Sequence, residues 1–86
     1  MLHLQLSRGT ISLTERILRK GYATLANYLR NAMLATEQDT IDLLLSTQQL
    51  ADIHSALESL QNGKDFGLKS MSSHLRERWQ QALMPV

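Results

Sequence analysis

The first six residues alternate, with Leu2, Leu4 and Leu6 apolar and His3 and Gln5 polar. A two-residue period puts the leucines on one face of an extended strand and the polar residues on the other. Nothing else in the chain constrains the fold as strongly, because an extended segment carries a row of backbone donors and acceptors that must be paired. No second strand of comparable quality stands out downstream. The economical expectation is that two copies of the chain pair residues 2–6 antiparallel across a dimer axis. The chain is short enough to profit from such pairing: its 86 residues support one domain at most. A domain of this size buries only about 60–65% of the surface it exposes unfolded.

Beyond the strand the apolar residues recur with helical spacing, and four glycines and one proline leave long stretches free to be helical. Ser12 followed by Glu15 has the form of a capping box, so a first helix is expected from about Leu13 to Lys20. Gly21, after Arg19 and Lys20, marks its stop. Thr24 offers a cap for a second helix carrying Leu25, Tyr28, Leu29, Ala32 and Met33. Polar Thr36–Thr40 separates it from a third helix, Ile41 to Gln61, whose Leu50, Ile53, Leu57 and Leu60 form a seam. Asn62 and Gly63 should end that helix. A loop anchored by Phe66 and Leu68 follows, then a fourth helix from about Ser70 to Leu83, closed by Pro85. No internal repeat is evident. The fold class expected is mainly α: an N-terminal strand in an intersubunit ribbon, a pair of helices, and two further C-terminal helices.

Charge is segregated along the chain. Residues 1–35 carry Arg8, Arg16, Arg19, Lys20 and Arg30 against Glu15, and residues 36–63 carry Glu37, Asp39, Asp42, Asp52 and Glu58 with no lysine or arginine. Such a division either separates a polyanion-binding part from one that meets something else, or is neutralised within one fold. On the first reading, residues 1–36 form a dimerising, DNA-binding part and residues 37–86 a helical extension.

The stretch Gly21-Tyr22-Ala23-Thr24-Leu25-Ala26-Asn27-Tyr28-Leu29-Arg30-Asn31-Ala32 resembles the second-helix region of the ribbon-helix-helix family. Gly21, Tyr22, Thr24, Leu29, Arg30 and Ala32 fall at the steps of that family's pattern, while Ala26 and Asn27 depart from its usual Ser-Glu. The order strand, helix, helix agrees over residues 1 to about 35. The resemblance implies a homodimer whose paired strands enter the major groove of a DNA operator, with base edges read from the outward face by His3, Gln5 and Ser7. It further implies a backbone phosphate at the amino end of the second helix, near Thr24 and Leu25. Arg8, Arg16, Arg19 and Lys20 would add phosphate attraction. Leu2, Leu4, Leu6, Leu29 and Arg30 would form the dimer core.

The implied function is a dimeric, sequence-specific transcriptional regulator, or an antitoxin whose C-terminal helices bind a toxin. On that view Leu50, Ile53, Leu57, Leu60, Leu75 and Trp79 make a partner-binding surface. Asp42, Asp52 and Glu58 would repel DNA phosphates, so the acidic segment is expected to face away from the duplex and to suit a basic partner. The alternative is a small all-helical interaction protein, such as a secretion chaperone or assembly factor, that does not bind DNA.

Other chemistry finds little foothold. With no cysteine, thiolate metal sites and disulfides are excluded, and His3, His54 and His74 are not paired at helical i, i+4 spacing, so no metal site and no cofactor are expected. The chain has no glycine-rich phosphate loop and no catalytic constellation, which points away from an enzyme. Neither a spanning segment nor a signal peptide is recognisable, so a cytoplasmic location without membrane contact is expected.

Overall fold

The computed structural model describes residues 1–62 and 68–83, and the side chains of these except at 60–62 and 68–72. Its elements run β1 (Leu2–Ser7), α1 (Arg8–Leu18), α2 (Ala23–Leu34), β2 (Thr40–Leu45), α3 (Thr47–Asn62) and α4 (Leu68–Leu83). Gly63, Phe66 and Pro85, expected as helix stop, loop anchor and terminator, lie outside the described residues, as does the side chain of Leu60.

The expected strand forms, and its partner lies in the same chain. β1 pairs antiparallel with β2 over six residues, from Leu2 opposite Leu45 to Ser7 opposite Thr40. The segment from Thr40 is therefore a strand followed by a helix, which corrects the single helix expected from Ile41. Its alternation is complete on the inward face, where Ile41, Leu43 and Leu45 are buried beside Leu4 and Leu6. Leu44 disguises that pattern, because it is an apolar residue on the exposed face.

Both strands feed directly into a helix through a serine cap. The Ser7 hydroxyl accepts from the Thr10 N–H, and the Ser46 hydroxyl accepts from the Gln49 N–H at 3.1 Å. Gln49 Oε1 in turn accepts from the Ser46 N–H at 2.8 Å, completing a reciprocal capping box at the head of α3. Helix α1 thus begins at Arg8, five residues before the start expected from Ser12 and Glu15. Ser12 lies within the helix, and Glu15 is buried and bound to Arg19. The break after α1 is as expected, with the Gly21 and Tyr22 N–H groups both bonding the Leu18 carbonyl.

The chain is a βαα unit written twice, a repeat that the residue order conceals. Across the strand and first helix of the two units, adding 39 to a number in the first gives its counterpart in the second: Leu4 to Leu43, Leu6 to Leu45, Ser7 to Ser46, Ile11 to Leu50, Leu18 to Leu57. In the ladder, Leu4 faces its own counterpart Leu43, and the pair Leu2–Leu45 maps onto the pair Leu6–Ile41. A local two-fold axis therefore passes through the Leu4–Leu43 pair. The packing follows the same symmetry: α2 packs on β2, α4 packs on β1, and α1 meets α3 across the axis.

One core joins the units. Leu4, Leu6, Ile11, Leu18, Leu25 and Leu29 share a cluster with Ile41, Leu43, Leu45, Leu50, Ile53, Leu57, Leu75 and Trp79. Trp79 is fully buried, and its indole N–H donates to the Thr14 hydroxyl at 3.1 Å, which itself donates to the Thr10 carbonyl at 2.7 Å. The C-terminal half is thus built into the same core as the N-terminal half.

Two outcomes follow. A chain ending after Thr36 loses β2 and every α3 and α4 contact, and should be unfolded by far-UV circular dichroism. Replacing Thr14 with Val strands the buried indole N–H, and should lower stability by about 1–3 kcal/mol in urea unfolding, with an unchanged denaturant slope.

Candidate nucleic-acid interface

All four helices serve the inward face of the ribbon, so its other face is open. The exposed side chains there are His3, Gln5 and Ser7 from β1, and Thr40, Asp42 and Leu44 from β2. They form cross-strand pairs His3–Leu44, Gln5–Asp42 and Ser7–Thr40. His3 Nε2 also lies 3.9 Å from Asp42 Oδ1 on the diagonal, both side chains being more than half exposed. The three residues expected to share an outward face therefore do so. Ser7 has a second task as the α1 cap, and its hydroxyl lies 2.8 Å from that of Thr10.

Half of this face was invisible from the strand alone. Thr40, Asp42 and Leu44 enter it only because β2 pairs with β1. The acidic segment was expected to turn away from whatever the ribbon meets, yet Asp42 sits directly opposite Gln5 on the same face. The signal that could have revealed it is the capping box Ser46-Thr47-Gln48-Gln49, which places a helix start immediately after an alternating segment.

The basic residues separate into two groups. Arg8 is committed to the backbone. Its Nη1 donates to the Met33 carbonyl at 3.2 Å, its Nη2 to those of Thr36 and Gln38, and its Nε also to Gln38. The planar guanidinium collects carbonyls at the C-terminal end of α2 and on the chain leading to β2, where helix carbonyls lack internal partners. The Arg8 N–H adds a bond to the Asp39 carbonyl. Arg19 is bound by Glu15, 9% exposed, and by Asn27 Oδ1 at 3.1 Å. Arg16 and Lys20, the other two expected phosphate ligands, are exposed and without an ion pair among the described residues.

Further placements follow the packing. Leu29, expected in the dimer core, is buried in the chain's own core, and Arg30, expected beside it, is exposed on α2 of the single chain. Thr24 lies exposed in the first turn of α2 and is not its cap; Tyr22 holds that position and provides no side-chain acceptor, and Leu25 is buried. The Tyr28 hydroxyl donates to the Leu44 carbonyl and ties α2 to the edge of β2. The expected partner surface is corrected: Leu50, Ile53, Leu57, Leu75 and Trp79 are buried in the chain's own core, at 9% exposure or less, because the two units bury them against each other.

His54 Nε2 is buried with no hydrogen-bond partner among the described residues. No group of three or more His, Asp or Glu among the described residues could hold a metal ion, and none of the described helices is long and apolar enough to cross a membrane. No family model, curated protein or solved structure matches the chain.

Arg8→Ala should loosen the α2–β2 connection and cost about 1.5–3 kcal/mol, the range for hydrogen bonds to a charged group. Arg8→Lys should recover only part of that, since an ammonium lacks the fork. Thermal and urea unfolding of the two variants check both.

Proposed function

We propose that the chain binds double-stranded DNA by laying the open face of the β1–β2 ribbon in the major groove. The observation that carries this reading is a two-stranded antiparallel ribbon with all helices behind it and a row of six exposed side chains in front. A major groove about 12 Å wide admits a two-stranded ribbon, and β-ribbon readers use it in that way. The resemblance of residues 21–32 to a family that reads DNA through a ribbon supports the same function.

Chemistry on the face suits base edges. The Gln5 amide can both donate to and accept from adenine, Asp42 can accept from the cytosine amino group, and Leu44 can pack against a thymine methyl. Exposed Arg16, Lys20 and Arg30 offer charge for phosphates. The ribbon that the resemblance assigns to two copies is supplied here by two strands of one chain. The backbone of β1, which would otherwise need a strand from a second copy, is paired within the chain. A single chain is therefore taken as the DNA-binding unit, with a role in transcriptional regulation.

The carboxylate and the half-exposed leucine at 44 favour the second reading, a protein-binding face. A duplex-shift experiment across salt concentrations separates the two. DNA binding should weaken steeply with salt, Arg16→Ala and Lys20→Ala should weaken all sequences alike, and Gln5→Ala should flatten preference among sequences. Absence of any shift at low salt would leave the protein-binding reading in possession of the face.

A further inference from the structure

We infer that the DNA site read by this chain lacks dyad symmetry, its two half-sites being unlike in sequence. The inference rests on the DNA-binding reading above and adds what that reading leaves open, the class of duplex preferred.

A symmetric protein mirrors its symmetry in a palindromic operator, because each half presents the same side chains to its half-site. Here the backbone keeps the symmetry and the side chains break it. The local two-fold axis through Leu4–Leu43 carries His3 onto position 42 and Gln5 onto position 44, since both relations are the same step of 39. Inward, the related residues match in kind: Leu4 with Leu43, Leu6 with Leu45, Ile11 with Leu50, Leu18 with Leu57. At the two outward positions nearest the axis they are opposites. An imidazole is related to a carboxylate, and an amide is related to an alkyl chain.

Burial explains the contrast. The shared core admits only apolar residues of similar volume at related positions, whereas the open face imposes no such demand. The His3–Asp42 approach of 3.9 Å shows the consequence at the axis, where a symmetric ribbon would bring two imidazoles or two carboxylates together. Recognition then differs on each side. One side of the axis offers the Gln5 amide for adenine and the Asp42 carboxylate for a cytosine amino group, and the other offers the His3 imidazole and an alkyl contact from Leu44 for a thymine methyl.

Selection of bound duplexes from a random-sequence pool by the full chain at low salt tests this. The enriched motif should be non-palindromic. Gln5→Ala and Asp42→Ala should each lose roughly fivefold or more of the base preference on one side of the motif centre, and His3→Ala on the other. All the altered side chains are exposed, and circular dichroism checks that each variant is folded. The double variant Asp42→His with Leu44→Gln repeats the outward residues of β1 on β2 and should shift the enriched motif toward dyad symmetry. A palindromic motif from the unaltered chain, or a double variant whose motif stays as asymmetric as before, would overturn the inference while leaving DNA binding intact. Failure to retain any duplex would overturn the DNA reading and this inference with it.

Discussion

Everything in this fold depends on one ladder of backbone hydrogen bonds. β1 carries three leucines on one face and cannot leave its donors and acceptors unpaired, so it needs a partner strand whose inward face is equally apolar. β2 satisfies both conditions in a single register. A one-residue slip would turn Asp42 and Leu44 inward and expose Ile41, Leu43 and Leu45, so the register is held by the core as much as by the hydrogen bonds. That register also sets Leu4 opposite Leu43, and from it follow the local two-fold, the crossed packing of α2 on β2 and α4 on β1, and the meeting of α1 and α3.

The polar interactions that reinforce the ladder lie at the joints between units. Arg8, the first residue of α1, gathers carbonyls of the chain that links α2 to β2, and Tyr28 of α2 fastens to the carbonyl of Leu44. Trp79 of α4 reaches Thr14 of α1 through a fully buried hydrogen bond. Each joins residues distant in sequence, which makes folding of either half by itself unfavourable. Of the side chains that composition suggests for phosphate binding, Arg8 is drawn into such work and Arg19 is held within the first unit by Glu15 and Asn27, while Arg16, Lys20 and Arg30 stay exposed without an ion pair among the described residues.

A duplicated βαα architecture also frees the outer face. In a symmetric pair of identical chains, any change to the ribbon appears twice. In one chain the two strands vary independently, provided the core positions keep their volume. His3 and Gln5 on one strand, with Asp42 and Leu44 on the other, are such independent choices.

How much of this was legible depended on the range of each signal. Alternation of Leu2, Leu4 and Leu6 specified the first strand and its two faces, Gly21 marked the break between α1 and α2, and polar residues 36–40 marked the next one. Buried residues in α2, α3 and α4 followed from helical spacing. All of these are local patterns, in which a side chain's environment is set by its own backbone period. Three things were not local. Leu44 gave β2 the look of a helix segment, and only the approach of β1 decided between the two. Arg8 looked like a surface cation until the fold brought carbonyls 25 to 30 residues away to its guanidinium. The seam of Leu50, Ile53 and Leu57 announced that a partner surface was needed but not whose, and packing between the halves supplied it from within the chain. The sequence by itself determined the first strand, the helical stretches and their buried faces, because periodicity acts within an element. The tertiary structure alone decided which strand pairs with which, and so which six side chains share the open face, because backbone pairing depends on what folding brings within reach.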